Sequence, residues 1–205
     1  MPDIGLFLLA SALLTIAPGP DIVYVLTRGI TQGRRAGFAA ALGFATGVIF
    51  HTALAALGIA ALIRSSEFAF SLVRYAGAAY LVYLGIRTLM SRSAFQLSSD
   101  HSSLARWAVY KQSVIGNALN PKVTLFFLSF LPQFINLTAG QVELQMVLLG
   151  AVFMLQTVLI FGAIAFFSGV IGDRLRTNSS IANRLNMFAG IIFIALGIRV
   201  AWPES

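Results

Sequence analysis

The chain has 205 residues, of which 58% are hydrophobic and 10% charged, where a soluble domain carries about 25% charged residues. With no cysteine, disulfides, thiolate catalysis and cysteine-ligated metals are excluded together. A net charge of +7 would draw an acidic partner in a soluble protein, but at a mean hydropathy of +0.86 it describes how basic residues flank a bilayer, and no nucleic-acid partner is expected.

Ile4 to Ile16 opens the chain with an apolar run long enough for the core of a signal peptide, and Ala10-Ser11-Ala12 resembles a cleavage site. Met1-Pro2-Asp3 lacks the basic charge with which such a peptide starts, so the run is expected to form part of a membrane span over 4–27. Inside it stand Pro18, Gly19, Pro20 and Asp21. Two prolines within three residues remove two backbone donors, so the helix is expected to open rather than bend. Freed backbone groups are tolerated at membrane depth only against protein or a wet cavity. Ser11 and Thr15, four residues apart on one face, either line the path or bond their own backbone.

Uncharged runs continue from Ala36 to Ile63, with His51 inside, and from Leu144 to Gly172. Each exceeds the roughly 20 residues that a span needs. Later spans are expected at 37–62, 68–87, 113–135, 144–168 and 185–202. In the second, His51 reads as a satisfied buried imidazole or a proton relay. Gly43 and Gly47 have the GxxxG spacing that lets helices approach in lipid, and are expected to pack span 2 on span 1, with a homodimer contact as the alternative. Residues 88–112 form the one long connection, and "LARWAVYKQ" in it reads equally as a short interfacial helix or a solvated loop. The fourth span carries Asn117, Asn120, Pro121 and Lys122, with Pro132 near its end. Gln156 in the fifth is ambiguous in the same way as His51.

Ten Lys and Arg residues (28, 34, 35, 87, 92, 106, 111, 174, 176 and 184) fall near the 1–2, 3–4 and 5–6 connections, against three (64, 74 and 199) on the other side. The positive-inside rule then puts both termini outside the cytoplasm. LGIR recurs at 84–87 and 196–199, closing spans 3 and 6, while spans 1 and 4 are the proline-bearing ones. Three is odd, so two such halves have opposite topology. The fold expected is an all-α membrane protein, one domain over 1–205, with six transmembrane helices in two inverted three-helix repeats and helices 1 and 4 interrupted by proline.

Asp21 and Lys122 stand beside the two breaks. Unpaired at a helix centre, each would cost about 2.5–3.5 kcal/mol. They are therefore expected to pair with each other, line a cavity or meet a charged substrate. One reading is a buried ion pair that locks spans 1 and 4. The other is a site for a zwitterion, Asp21 taking an α-ammonium or a proton and Lys122 an α-carboxylate, with the amides of Asn117 and Asn120 adding donors and acceptors. No catalytic set, cofactor or metal site is expected. Export of metal or other cations, and a non-transporting membrane scaffold, are the competing functions.

"APGPD", "GITQGRRAGFAAALGFATG" and "GNALNPKVTLFFLSFLPQF" together resemble the LysE/RhtB family of amino-acid exporters over nearly the whole chain. The resemblance implies a bacterial inner-membrane carrier, multi-pass, that expels amino acids or close derivatives by proton antiport. It singles out Pro18, Gly19, Pro20, Asp21, Asn120, Pro121 and Lys122. The scarcity of other acidic residues inside the membrane favours a neutral substrate.

Overall fold

A computed structural model of the chain describes residues 4–59, 61–62, 66–90, 104–177 and 179–202. Residues 1–3, Arg64 and the 91–103 stretch with Arg92 lie outside them. Among the described residues the regular structure is entirely helical: α1 (Ile4–Ile16), α2 (Pro20–Gln32), α3 (Arg34–Leu54), α4 (Glu67–Met90), α5 (Arg106–Ala118), α6 (Pro121–Ser129), α7 (Val142–Phe166), α8 (Ser168–Thr177) and α9 (Ser179–Ala201). A turn of π-helix over Ala55–Ile59 extends α3, and a 3-10 turn over Leu131–Phe134 extends α6.

Of these, α3, α4 and α7 are each long and apolar enough to cross a membrane. The pairs α1–α2, bent by 59°, and α5–α6 with its extension to Phe134, bent by 48°, would each add a broken span, and α9 contains a shorter apolar stretch, Asn186–Ala201. Side chains such as Leu57, Phe68 and Leu155 are largely exposed on the outer surface, which suits a surface facing lipid.

Several boundaries differ from the sequence expectation. The first bent pair runs on to Gln32 because Arg28 is buried, with its guanidinium over the Tyr24 ring and bonded to Gln32 Oε1. It stops at Gly33, whose φ of 83° is open to glycine without penalty. The "LARWAVYKQ" segment is neither a separate interfacial helix nor a loop: α5 starts at Arg106 and continues to the second break. Val109, Ser113 and Asn117 form its buried stripe, while Arg106 and Lys111 stay on the exposed face. The expected 5–6 connection is itself largely α8.

Two apolar clusters make the core. The larger is rich in aromatic rings, among them Phe7, Phe126, Phe130, Phe134 and Phe153, and the smaller holds Ile22, Val25, Leu26, Phe44 and Phe161. Elsewhere α4 and α9 pack antiparallel through glycines. A β-carbon on Gly85 would meet Gly190 and Ile194, and one on Gly197 would meet Ala78 and Val82. Each contact is the image of the other after a shift of 112 residues (85 to 197, 78 to 190, 82 to 194).

Candidate functional site: two broken helices and a buried ion pair

Both breaks follow from the lack of an N–H on proline. Pro18 cannot donate to the carbonyl of Leu14, four residues earlier. Gly19 then takes an extended conformation and caps α2, with Pro20 as its first residue, a position where the missing N–H does no harm. At the second break Pro121 is the first residue of α6, and the Asn120 side chain caps that helix by accepting from the Lys122 N–H at 3.0 Å. Here the carbonyl deprived of its helical donor is that of Asn117.

The Leu14 and Asn117 carbonyls are each met by a side chain from another element. Lys122 Nζ donates to Leu14 O at 3.1 Å and lies 3.4 Å from Ala17 O. His51 Nε2 donates to Asn117 O at 2.8 Å, and Thr124 Oγ1 lies 3.4 Å from its Nδ1. A donating Nε2 leaves Nδ1 of a neutral ring free to accept. His51 is thus buried, with its Nε2 bonded to the broken helix and its Nδ1 facing the Thr124 hydroxyl.

Asp21 and Lys122 are 3% and 6% exposed and pair at 3.2 Å. Helix ends favour both charges. Asp21 sits in the first turn of α2 and accepts from the Ile22 N–H, and the ammonium rests on carbonyls at the end of α1. Gly19 leaves room for this contact. Its β-carbon would fall 2.7 Å from Asp21 Oδ1 and 3.1 Å from Lys122 Nζ.

Beside the pair is a cavity of ≈ 10 Å³, room for about one water and far less than an amino acid occupies. Leu14, Thr15, Asp21, Asn117, Lys122 and Val123 line it, together with Phe153, Thr157 and Phe161. The last three sit four residues apart on one face of α7, with Phe153 in the larger apolar cluster and Phe161 in the smaller. Thr157 therefore marks a thin polar layer between two apolar plugs. Sequence reasoning stopped at its neighbour Gln156. A polar pair at 156–157 inside a long apolar run was the available signal. Among the described residues, Asn117 Oδ1 and Asn120 Nδ2 are buried with no hydrogen-bond partner, and Asn117 lines the cavity.

The remaining candidates divide. Thr15 lines the cavity, although its hydroxyl bonds Ser11 O. Ser11 bonds the carbonyls of Phe7 and Leu8 and meets Gln156 Oε1 at 3.1 Å. That contact joins α1 to α7 apart from the cavity lining. Gly43 and Gly47 correct an expectation: they pack α3 on α5, against Tyr110, Ser113, Val114 and Asn117, and not on the first span. Gly29 and Gly37 bring α2 and α3 together instead, with Ala165 of α7 against Gly37. Among the described residues, no group of three or more His, Asp or Glu is placed to hold a metal ion.

Comparison with known proteins points one way. The family model described as LysE type translocator matches residues 12–203. The chain is 33% identical to "Uncharacterized membrane protein YrhP" of Bacillus subtilis (strain 168), over 92% of this chain and 93% of that protein. It is 30% identical to "Leucine efflux protein" of Enterobacter sp. (strain 638), over 95% and 93%. The leucine efflux protein of Salmonella choleraesuis (strain SC-B67) is 27% identical, over 97% and 94%. No solved structure matches the chain.

Proposed function

This chain belongs to the LysE type translocator family, and from that premise we propose that it exports a neutral amino acid across the bacterial inner membrane in exchange for protons. The observation that carries the reading is the Asp21–Lys122 pair at the meeting point of two broken helices, beside a cavity. A carboxylate and an ammonium side by side match the two charges of a zwitterion, whereas a bare cation has no use for Lys122. The apolar lining from Leu14, Val123, Phe153 and Phe161 favours an aliphatic side chain, in keeping with relatives named leucine efflux proteins.

The carrier crosses the bilayer six times as two inverted three-span repeats with both termini outside. The ten-to-three bias of basic residues supports the orientation. The repeated contact between α4 and α9 after a shift of 112 residues supports the symmetry. Substrate enters from the cytoplasm by parting the smaller apolar plug, on the side of Arg34 and Arg35. Asp21 takes up a proton from outside and releases it inside. One proton per neutral substrate draws on about 2.3 kcal/mol per 100 mV of potential, enough for well over tenfold accumulation outside.

Everted membrane vesicles test this. Labelled leucine should enter them under a proton gradient, uptake should collapse with a protonophore, and Asp21→Asn should abolish the coupling. Normal proton-driven flux in that variant would leave Asp21 a structural residue only.

A further inference from the structure

The Lys122 ammonium has three N–H donors and finds three acceptor groups: the carbonyls of Leu14 and Ala17 and the carboxylate of Asp21. Two of the three are backbone atoms, held where the Pro18–Gly19–Pro20 break puts them and independent of any side-chain rotamer. Gly19 keeps the space clear, since a β-carbon there would press on both charged groups. Nothing in this seat is specific to lysine. It fits a primary ammonium in number of donors, charge and size, and an α-amino acid carries the same group.

We propose that this seat belongs to the substrate's α-ammonium, and that Lys122 occupies it only while the carrier is empty. In the loaded carrier the substrate's ammonium rests on Asp21, Leu14 O and Ala17 O. The Lys122 side chain, on its flexible four-carbon stem, swings onto the substrate's α-carboxylate. The charges run Asp21 carboxylate, substrate ammonium, substrate carboxylate, Lys122 ammonium. While Asp21 is ionised, every buried charge keeps an opposite neighbour before and after the substrate replaces Lys122, so neither of these two states carries the large penalty of an unpaired ion in a low-dielectric interior. The Asn117 amide oxygen, buried and without a partner beside the cavity, is an additional acceptor for an ammonium in transit.

This deepens the export reading and rests on it, adding a requirement at the amino group whatever the side chain. A primary ammonium fills all three acceptors, an N-methyl ammonium two, and a quaternary ammonium none. The carrier therefore discriminates against N-methylated amino acids and betaines.

Two measurements test the seat. In proteoliposomes of the unaltered protein, competition against labelled leucine should weaken several-fold for N-methylleucine and tenfold or more for N,N,N-trimethylleucine. Competition by the trimethyl compound within threefold of leucine would overturn the proposal while leaving export intact. Second, purified Lys122→Ala should gain several degrees in thermal midpoint from millimolar n-propylammonium, which supplies the deleted group, and none from n-propyltrimethylammonium. Equal shifts, or none from either, would overturn it. A rescue of Lys122→Ala by propylammonium, with no leucine moved by the unaltered protein, would keep the seat and remove the reading of leucine export. Should Lys122→Ala give no folded protein, the competition series alone decides.

Discussion

Gly47 of α3 lies directly against Asn117 of α5: a β-carbon on the glycine would come within 2.6 Å of the asparagine Cβ and 2.9 Å of its Oδ1. The glycine face of α3 thus does more than join two helices, because it sets where the Asn117 amide stands beside the cavity. Gly47→Val should separate α3 from α5 and cost about 1–3 kcal/mol, the usual range for overpacking. In a chain of this length that is roughly 2–4 °C of thermal midpoint per kcal/mol. Gly116→Ala is the matched control. Its new methyl would meet Phe44 at an ordinary 3.6 Å, so the midpoint should hold or rise.

Removing one partner of the buried ion pair should be far worse than removing both. Asp21→Leu or Lys122→Met alone strands a charge, at a cost of about 3–5 kcal/mol. The double variant strands none and should recover much of that loss, although Leu14 O and Ala17 O still lack their donor. Urea or thermal unfolding of the four proteins in detergent gives the coupling energy. Additive losses would mean that the two charges are satisfied separately.

His51 props the second break open. His51→Phe keeps the bulk among the neighbouring rings of Phe50 and Phe127 but leaves Asn117 O with only the Asn120 N–H. Stability should drop by about 0.5–1.5 kcal/mol, and transport should fall with it. His51→Gln supplies an amide donor at comparable reach and should retain most of both. If His51→Phe and His51→Gln transport equally, the hydrogen bond is dispensable and the ring only fills space.

The absence of native cysteine makes the cavity accessible to labelling. Thr157→Cys should react slowly with a small impermeant thiol reagent, because Thr157 is buried between two apolar clusters. Adding Phe161→Ala thins the smaller plug, where Phe161 meets Phe44 at 5.8 Å. Labelling should then accelerate by up to about tenfold, the equivalent of losing one edge-to-face aromatic pair worth about 0.5–1.5 kcal/mol. It should do so in everted vesicles and not in right-side-out ones. Acceleration from the opposite face would reverse the proposed orientation.

The sequence exposed the two breaks and their charges because prolines and ions are expensive in lipid and therefore conspicuous. Pro18, Pro20, Asp21, Pro121 and Lys122 were found on that ground alone, and the structure brings them together. Helix ends were less legible. Apolar stretches between charged breaks put the start of the fourth span at 113, yet α5 begins at Arg106 and carries Arg106 and Lys111 on an exposed face. GxxxG spacing announced that a backbone would come close to Gly43 and Gly47 but contained nothing about whose. Thr157, Phe153 and Phe161 escaped because a threonine and two phenylalanines look ordinary in an apolar helix. Only the fold shows that they share a stripe facing the ion pair.

The narrowness of the chamber bears on what the protein does at rest. A standing column of water through a membrane protein conducts protons and discharges the potential that powers every other carrier nearby. Here rings from Phe126, Phe130 and Phe153 on one side, and Phe44 with Phe161 on the other, confine the polar layer to a pocket the size of about one water. For the carrier proposed above, idle copies should pass few protons, and proton flux into liposomes holding the purified protein without substrate should stay near that of empty liposomes.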